Sequence, residues 1–282
     1  MKILILGATG FLGKKLMTDL SKNHEVVGTC HKENIPGLYN IDALDFVGLK
    51  EFILNIKPQV IIDTIALTSS LECERNPDLA KQLNYQTASN IVSVSNLVGA
   101  KLVFISSSYV FDGSKGNYSE EDMPNPTNVY GKTKVLAEKE VLESNGIVLR
   151  VDIMYGYNGK NNNNGIFGKI IASNTLEERN PAQLRCPLFV DDVSSAITTL
   201  IEKNQSGIFH LCGPDKITIY DFQKKLESII RKESIIKVIN DPHAKIRPPM
   251  DTTLNLKKVN KLGIKTTNLE EGLAKLKKQF KS

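Results

Sequence analysis

The 282-residue sequence predicts an α/β fold, in which a Rossmann doubly wound parallel sheet is followed by a smaller C-terminal α/β substrate-binding part. Three observations lead to this prediction. Short apolar runs alternate with helix-period segments from the first residue onward. The first apolar run, residues 2–6, ends at a glycine-rich turn, and an amphipathic segment follows it. In that turn Gly7, Gly10 and Gly13 are spaced by three residues, a pattern typical of a dinucleotide phosphate site.

The chain before residue 152 is predicted to form five strands with helices between them. Each strand is a short apolar run, as expected of a strand that is buried on both faces. Pro58 separates the second helix from the third strand, and Asn76-Pro77 begins a long helix that is expected to reach Leu97. The predicted strands are residues 2–6, 25–29, 59–63, 101–106 and 147–150, and the predicted helices are residues 14–21, 46–55, 76–97 and 129–144.

After Arg150 the alternation is looser, and the polar segment Gly159 to Gly165 is predicted to be a mobile surface or substrate-side loop with little to pack. The predicted strands here are residues 187–190, 208–212 and 235–239, and the predicted helices are residues 191–203, 218–231 and 269–280. We therefore expect a dinucleotide-binding domain over residues 1–152, whose sheet is completed by the helix and strand from about 188–212. Residues 153–282 would mainly bind the substrate.

Composition excludes several classes of protein. No run of about 18 apolar residues is present, so no membrane span is predicted, and no secretory signal pattern is found, so a cytoplasmic location is expected. The four cysteines form no Cys-x-x-Cys pair, which favours reduced thiols, and the four histidines are not at ligand spacing, so no metal is expected. The net charge of +5 includes C-terminal lysines interleaved with helix-period leucines, which favours a solvated helix face over nucleic-acid binding.

Two polar clusters are predicted at the carboxyl edge of the sheet. The run SSSYVFDG, residues 106–113, follows the fourth strand, and Tyr130-x-x-x-Lys134 lies early in a helix, where both side chains share one face. A nearby ammonium would lower the pKa of the tyrosine below its usual value of about 10, and Ser107 could hold a substrate oxygen. With the glycine turn, these residues predict a proton donor to a carbonyl that receives hydride from a nicotinamide.

With these motifs the chain resembles the extended short-chain dehydrogenases/reductases, and most of all their dTDP-4-dehydrorhamnose reductase (RmlD-like) branch. That branch also contains the regulatory beta subunit of methionine adenosyltransferase. The resemblance covers nearly the whole chain. It includes the segments Glu74-x-Asn76-Pro77 with Asn84, Arg150 to Gly156, Phe189 to Val193, His210-x-x-Gly213 and Arg247-Pro248.

The resemblance implies a role for each matching residue. The catalytic residues would be Ser107, Tyr130 and Lys134. The cofactor would be bound by Gly7, Thr9, Gly10, Phe11, Leu12, Gly13, His31, Lys32, Asp42, Thr64, Ile65, Ala66, Tyr130 and Lys134. The substrate would be contacted by Ser107, Ser108, Ile153, Arg185 and Arg247. The two arginines would bind the substrate's phosphates, or else be ordinary surface cations.

The sequence departs from the family at two places. The second strand has no acidic residue at its end, and His31 and Lys32 favour NADP over NAD because a cation there accommodates the 2′-phosphate. Alternatively, Lys32 points into water. Ile153 stands where the rhamnose enzymes have a tryptophan, which argues against dTDP-4-dehydrorhamnose itself but leaves other nucleotide-linked keto-sugars open.

The leading hypothesis is therefore an NAD(P)H-dependent reductase of a nucleotide-linked 4-keto-(deoxy)sugar. One alternative is a nucleotide-sugar epimerase or a dehydratase that recycles tightly held NAD. Ser108 argues against a dehydratase, which would usually need an acidic residue there. Another alternative is a non-catalytic, NADP-binding regulatory subunit of the methionine adenosyltransferase beta type. The expected partner is a small nucleotide sugar, with no nucleic acid or membrane, and a homodimer is allowed.

Overall fold

A seven-stranded sheet lies at the centre of the chain, and it is parallel, as the sequence predicts. The computed structural model describes residues 1–31, 35–160, 163–172, 175–178, 181–230, 235–238 and 248–281. The strands are β1 (Lys2–Leu6), β2 (Glu25–Cys30), β3 (Leu38–Asn40), β4 (Val60–Asp63), β5 (Lys101–Ser107), β6 (Ile147–Val151), β7 (Met154–Tyr155), β8 (Thr175–Glu178), β9 (Leu184–Arg185), β10 (Leu188–Phe189), β11 (Gly207–Leu211), β12 (Ile217–Thr218) and β13 (Ile235–Val238). The α-helices are α1 (Phe11–Leu20), α2 (Phe46–Ile56), α3 (Ser70–Arg75), α4 (Pro77–Lys81), α5 (Thr87–Val98), α6 (Val129–Glu143), α7 (Gly165–Ala172), α8 (Asp191–Glu202), α9 (Ile219–Ile230), α10 (Lys257–Lys261) and α11 (Leu269–Lys281).

The strand order of the main sheet is β11-β6-β5-β4-β1-β2-β3, and the described strands in it all run parallel. The order reverses between β1 and β4. In doubly wound sheets a crevice opens at such a reversal, outside the carboxyl ends of the strands, and ligands bind there. The predicted fold class is confirmed, and the topology places the ligand site next to the β1–α1 turn.

Helices cover both faces of the sheet because its strands are apolar on both sides. In β1, Ile3 and Ile5 pack into a core shared with α1 and α8, whereas Leu4 and Leu6 pack into a core shared with α2, α5 and α6. The alternation follows from the two-residue period of a strand. The uninterrupted apolar run at residues 2–6 therefore indicated a central strand correctly.

The C-terminal part has a core of its own. Tyr155, Phe167, Phe189, Phe222 and Leu276 are buried together, apart from the two cores that flank the main sheet. Strand β11 pairs in parallel with β6, so this late strand belongs to the main sheet. The assignment of residues 153–282 to substrate binding stays a prediction. In the described part of the chain, no helix has the length and apolarity to span a membrane, and the four cysteines are buried.

Several local features were not predicted. The short edge strand β3 and the helix α3 were both missed, as were the C-terminal elements β7, β8, β9, β12, α7 and α10. The helix predicted over residues 76–97 is present, but a π-helical turn at Gln82–Gln86 separates α4 from α5. A π-turn inserts one extra residue into a helix, which periodicity alone does not reveal, and such turns often lie at functional sites.

A buried ion pair ties the second half of the sheet to α6. The Arg150 guanidinium donates to Glu138 through Nε at 2.9 Å and Nη2 at 2.7 Å. Ser106 Oγ also donates to Glu138. Arg150 is 1% exposed and Glu138 is 3% exposed. Burial, together with the nearby Arg150 charge, lowers the pKa of His210 on β11 to about 3, so this histidine is neutral beside the arginine.

Replacing Arg150 with methionine is expected to lower the free energy of unfolding by about 3–5 kcal/mol, because Glu138 would remain buried without its cation. Urea unfolding monitored by circular dichroism measures the change. Glu25→Gln, which removes a surface partner of Lys2, is the matched control and should change stability by less than about 1 kcal/mol. If Arg150→Met lowered the free energy of unfolding no more than the control does, the ion pair between Arg150 and Glu138 would not stabilise the core as proposed here.

Candidate active site

The glycine turn between β1 and α1 lies at the reversal point of the sheet. Gly7 has a φ of +83°, which favours glycine, and an added Cβ there would lie 2.8 Å from Thr64 Oγ1. An added Cβ at Gly13 would lie 2.2 Å from the Gly7 carbonyl oxygen, so α1 packs directly on the turn. Helix α1 has no side-chain cap, and its first N–H groups lack intrahelical partners. The turn therefore has the geometry of an anion site.

Two threonines from neighbouring segments hold this turn in place. Thr64, directly after β4, hydrogen-bonds through Oγ1 to the carbonyl oxygens of Leu6 at 2.7 Å and Gly7 at 3.1 Å. Thr29 on β2 accepts from Gly7 N at 3.4 Å through Oγ1 and from Ala8 N at 2.9 Å through its carbonyl. Thr64 was predicted to line the cofactor, and its described contacts are to the turn. Thr29 was missed, because only the pairing of β1 with β2 brings it there.

The segment that follows β7 also closes on the turn. Asn158 donates through Nδ2 to the Phe11 carbonyl at 2.9 Å, and its own N–H donates to Asn164 Oδ1 at 2.6 Å. Asn164 is 6% exposed, and an added Cβ at Gly165 would lie 3.0 Å from the Phe11 ring. The prediction of a loop with little to pack is therefore wrong for its described residues. Asparagine amides supply the hydrogen bonds that the apolar content did not indicate.

The residues predicted to contact the adenosine end lie at the carboxyl ends of β2 and β3. His31 is exposed directly after β2. Asp42 is exposed two residues after β3, and its Oδ1 accepts from Leu44 N at 2.9 Å. Lys32 lies outside the described residues, so the choice between NADP and NAD stays a prediction. Ile65 and Ala66 are half-buried at the end of β4, on the other side of the glycine turn.

The predicted catalytic residues converge at the end of β5 and the start of α6. Ser107 is the last residue of β5, and its hydroxyl hydrogen-bonds to Tyr130, which is 8% exposed. Lys134 is 2% exposed one turn further along α6. Its Nζ donates to the Ile105 carbonyl at 2.9 Å and lies 4.4 Å from the centroid of the Phe104 ring. The structure thus brings Ser107 and Tyr130 into contact, with Lys134 on the same face of the helix.

Side chains from two other elements fix the start of α6. Gly131 N donates to Asn128 Oδ1 at 2.8 Å, an N-cap of the ordinary kind, and Val129 N donates to Glu74 Oε1 at 2.8 Å. Because the first turn of a helix has N–H groups without partners, these two acceptors stabilise its position. Tyr130 lies within this first turn, so Glu74 and Asn128 set its location.

Asn84, in the π-turn Gln82–Gln86, connects the loop after β4 to the same helix. Its Oδ1 accepts from Leu67 N at 2.7 Å, and its Nδ2 donates to Leu67 O at 3.2 Å and to Thr133 Oγ1 at 3.1 Å. Thr133 in turn donates to the Tyr130 carbonyl at 2.8 Å. Residue reasoning alone gave Asn84 no role, although it belongs to the segments that carry the family resemblance.

The electrostatics differ from the expectation in one respect. Burial raises the pKa of Tyr130 above its usual range, and the hydrogen bond from Ser107 only partly opposes this. Burial also lowers the pKa of Lys134 to about 8, while Asp63, Glu138 and, less strongly, a cysteine raise it. The predicted lowering of the tyrosine pKa is therefore wrong for this arrangement, because desolvation of the phenol outweighs the hydrogen bond with Ser107. Tyr130 is a protonated phenol at neutral pH, which is the form that donates a proton.

Ser108 faces away from Ser107 and into the protein. It is 1% exposed, and its Oγ hydrogen-bonds to Asp152 Oδ1 at 3.2 Å and to Thr252 Oγ1 at 3.1 Å. Asp152 also accepts from Cys186 N at 2.8 Å. Ser108 therefore joins β5, β6 and the C-terminal part, and its predicted contact with a substrate stays a prediction.

Arg185 is buried against Tyr109, a neighbour of Tyr130, rather than on the surface. It is 2% exposed, its Nη2 donates to Tyr109 Oη at 3.0 Å and to Gln183, and its Nε lies 3.9 Å from Asp152 Oδ1. The Tyr109 ring in turn lies 5.9 Å from the Tyr130 ring, centroid to centroid. The alternative of an ordinary surface cation is therefore wrong, and the predicted contact of Arg185 with a phosphate stays a prediction.

Of the other two residues predicted to contact the substrate, the structure describes one. Ile153 is half-buried and packs against the C-terminal aromatic core that includes Tyr155 and Phe167. Arg247 lies outside the described residues. Among the residues that the structure describes, no group of three or more His, Cys, Asp or Glu side chains is placed to hold a metal ion.

A Rossmann sheet with a glycine turn, a strand-end serine and a Tyr-x-x-x-Lys helix defines a short-chain dehydrogenase/reductase. The comparisons agree: the family model of the RmlD substrate binding domain matches residues 1–282. The chain therefore belongs to the RmlD-like family of extended short-chain dehydrogenases/reductases.

Three known proteins illustrate the range of this family. The chain is 32% identical to the Bos taurus methionine adenosyltransferase 2 subunit beta over 276 residues, 93% of this chain and 83% of that protein. A hypothetical dTDP-4-dehydrorhamnose reductase from Sulfolobus tokodaii superposes with a TM-score of 0.81 at 30% identity, over 96% of this chain and 99% of its own. The Bacillus anthracis dTDP-4-dehydrorhamnose reductase in complex with NADP has a TM-score of 0.85 at 26% identity, over 99% of each chain.

Gly13→Ala is expected to destabilise the protein and weaken dinucleotide binding by at least about tenfold, because its Cβ would collide with the Gly7 carbonyl. Gly10→Ala is the matched comparison: its Cβ would meet the same carbonyl oxygen at 3.3 Å, so the melting temperature should fall less. Thermal melts and NADPH fluorescence titrations measure both effects. Equal melting temperatures for the two variants would rule out the close approach of α1 to the turn.

Proposed function

We propose that this protein is an NADPH-dependent reductase of a nucleotide-linked 4-keto-(deoxy)sugar. The observation that carries the proposal is the contact between Ser107 and Tyr130, with Lys134 buried on the same helix face beside the glycine turn. The two hydroxyls converge on one point at the carboxyl edge of the sheet. A carbonyl oxygen placed there could accept hydrogen bonds from both.

Each residue has a distinct part in the proposed reaction. When bound, the nicotinamide supplies the hydride to the carbonyl carbon. Ser107 orients the carbonyl oxygen, and Tyr130 donates its phenolic proton to that oxygen as negative charge develops. The Lys134 ammonium stabilises the phenolate that remains. Burial keeps Tyr130 protonated beforehand, which suits the direction of reduction.

Support for the cofactor comes from the turn and from the relatives. The first N–H groups of α1 lack a side-chain cap and lie where a pyrophosphate binds in this fold. The Bacillus anthracis protein was solved with NADP. His31 is exposed at the end of β2, and none of the described residues of β2 beyond Glu25, nor His31 itself, is acidic and able to bind a ribose 2′-OH. These features favour NADPH over NADH.

Support for the substrate class comes from the family and from the neighbours of Tyr130. The Sulfolobus tokodaii and Bacillus anthracis proteins carry the name of a reductase that acts on a nucleotide-linked keto-sugar. Arg185 is a buried cation that reaches the Tyr130 side of the site through Tyr109, and it would place positive charge near a substrate diphosphate. Ile153 would line the sugar side in place of an aromatic residue.

One specific observation favours a second candidate, a regulatory subunit that binds NADP without turnover. The identity to the Bos taurus methionine adenosyltransferase 2 subunit beta is as high as that to any reductase described above. Two measurements separate the candidates. NADPH oxidation over a panel of nucleotide-linked 4-keto-sugars would support the reductase. Tight NADPH binding without oxidation, together with altered kinetics of an added methionine adenosyltransferase catalytic subunit, would support the regulatory role.

Tyr130→Phe should lower kcat by about 10²- to 10⁴-fold, the usual contribution of a positioned acid, while NADPH binding stays within about threefold. NADPH oxidation at saturating keto-sugar and fluorescence titration of NADPH give the two numbers. Tyr109→Phe is the matched control, because its ring touches Tyr130 but its hydroxyl bonds to Arg185. A Tyr130→Phe variant with parental kcat would exclude Tyr130 as the proton donor.

The predicted preference for NADPH over NADH can be tested by comparing kcat/KM with the two cofactors. The parent should show a higher kcat/KM with NADPH than with NADH, and Lys32→Asp should shift the ratio toward NADH by about tenfold or more, because an acidic residue there binds the ribose 2′-OH. Lys50→Asp, an exposed change on α2, is the charge-matched control. A parent that prefers NADH would refute the assignment of His31 and Lys32 to the 2′-phosphate.

A further inference from the structure

The side chain of Lys134 is almost completely removed from solvent. Its Nζ donates to the Ile105 carbonyl and lies over the Phe104 ring, and only 2% of the residue is exposed. A backbone carbonyl and an aromatic face offer partial charges, not a full countercharge. An ammonium buried in this way needs a carboxylate nearby if it is to stay protonated.

Asp63 supplies a carboxylate from the next strand. It is the last residue of β4 and is 1% exposed, and its Cα pairs with that of Phe104, the residue whose ring lies under Lys134. Oδ1 accepts from Ile65 N at 2.9 Å. Oδ2 is buried and has no hydrogen-bond partner. A buried carboxylate oxygen without a donor is costly, so its placement beside the lysine needs a reason.

The two charges do not stabilise the fold at neutral pH. Burial raises the pKa of Asp63 from 3.8 to about 6, although Lys134 opposes the shift. The folded chain therefore binds more protons than the unfolded chain between about pH 4 and 6, and stability falls as the pH rises through that range. Burial lowers the pKa of Lys134 from 10.5 to about 8, so stability rises as the pH goes from about 8 to 10.5. Near pH 7 both groups are charged, and burying these charges lowers the free energy of unfolding. Such a destabilising pair is typical of a site that is kept for its function.

We propose that Asp63 is a positioning residue that keeps Lys134 protonated, and that it thereby sets the alkaline limit of cofactor binding and of reduction at Tyr130. The inference rests on the proposed function, in which the Lys134 ammonium holds the nicotinamide ribose and stabilises the phenolate. Asp63 acts through Lys134 and need not touch the substrate.

Three other charged or titratable groups face this site. Glu138, on the same helix, also favours the ammonium, but it is held by Arg150 and Ser106. Cys73 on α3 is a thiol whose pKa burial raises to about 11, so it is neutral. Tyr130 is protonated. Of the two described carboxylates that act on Lys134, Asp63 is therefore the one that no buried arginine neutralises.

The test is the pH dependence of NADPH binding between pH 6 and 10. The parent should lose affinity with a midpoint near pH 8, and Asp63→Asn should move that midpoint down by about one unit, because the ammonium loses its countercharge. Asp63→Glu, which keeps the charge, should restore much of the shift. Glu25→Gln, a change at the opposite end of the sheet, is the control for removal of a carboxylate and should leave the midpoint unchanged. A folded Asp63→Asn variant with the parental midpoint would overturn the proposal.

Lys134→Met provides a second measurement that does not depend on folding of the Asp63 variants. With the cation removed, Asp63 would be a lone buried acid, so the stability of Lys134→Met relative to the parent should fall as the pH rises from 6 to 8. The double variant Asp63→Asn, Lys134→Met should show no such fall and should melt higher than Lys134→Met at pH 8. A flat difference for the single variant would also overturn the proposal.

The outcomes separate this inference from the proposed function. A parent that binds NADPH but reduces no keto-sugar would contradict the reductase activity, and the binding profile would still decide the role of Asp63. A parent that binds no dinucleotide at any pH would contradict the cofactor site itself. The stability profile of Lys134→Met would then decide whether Asp63 and Lys134 are coupled.

Discussion

The site depends on one constraint, the burial of a polar stripe on α6 against the ends of β4, β5 and β6. Tyr130, Lys134 and Glu138 lie at successive i, i+4 positions, and each is less than 9% exposed. Every buried polar group needs a partner, and the sheet supplies one to each: Ser107 to the tyrosine, the Ile105 carbonyl to the lysine and Arg150 to the glutamate. The helix can therefore sit in one register only. The contacts that hold α6 on this half of the sheet therefore also place Tyr130 and Lys134 on one face.

The cofactor side follows a different physical rule. There the backbone approaches itself so closely that side chains are excluded, as at Gly13, and threonines from neighbouring strands fix the turn by hydrogen bonds. The contact from Asn158 adds a restraint from the C-terminal part. Because the turn is tied to β2, to the end of β4 and to the segment after β7, its N–H groups are preorganised. A preorganised anion site loses little entropy when a pyrophosphate binds.

On the predicted substrate side, buried polar side chains from several segments form one network. The hydroxyl of Ser108 donates to Asp152, which directly follows β6. The Asp152 carboxylate also lies near Arg185, whose guanidinium stacks on the Tyr109 ring next to Tyr130. Tyr109 thus stands between Tyr130 and a buried cation. This network, rather than any single residue, shapes the space that a substrate would enter.

The sequence by itself determined most strands and helices of the main sheet, the glycine turn and the shared helix face of Tyr130 and Lys134, because each rests on local spacing: a two-residue or 3.6-residue period, a glycine interval, or an i, i+4 pair. It indicated the late strand of the main sheet for the same reason. It could not place Thr29, Asn84, Asp63 or Asn158, since their partners lie between about 17 and 147 residues away. Nor could it give the pKa of Tyr130, which spacing to Lys134 predicted to fall and which burial raises. Only the tertiary structure decides desolvation, because the water that a side chain loses is displaced by residues from every part of the chain.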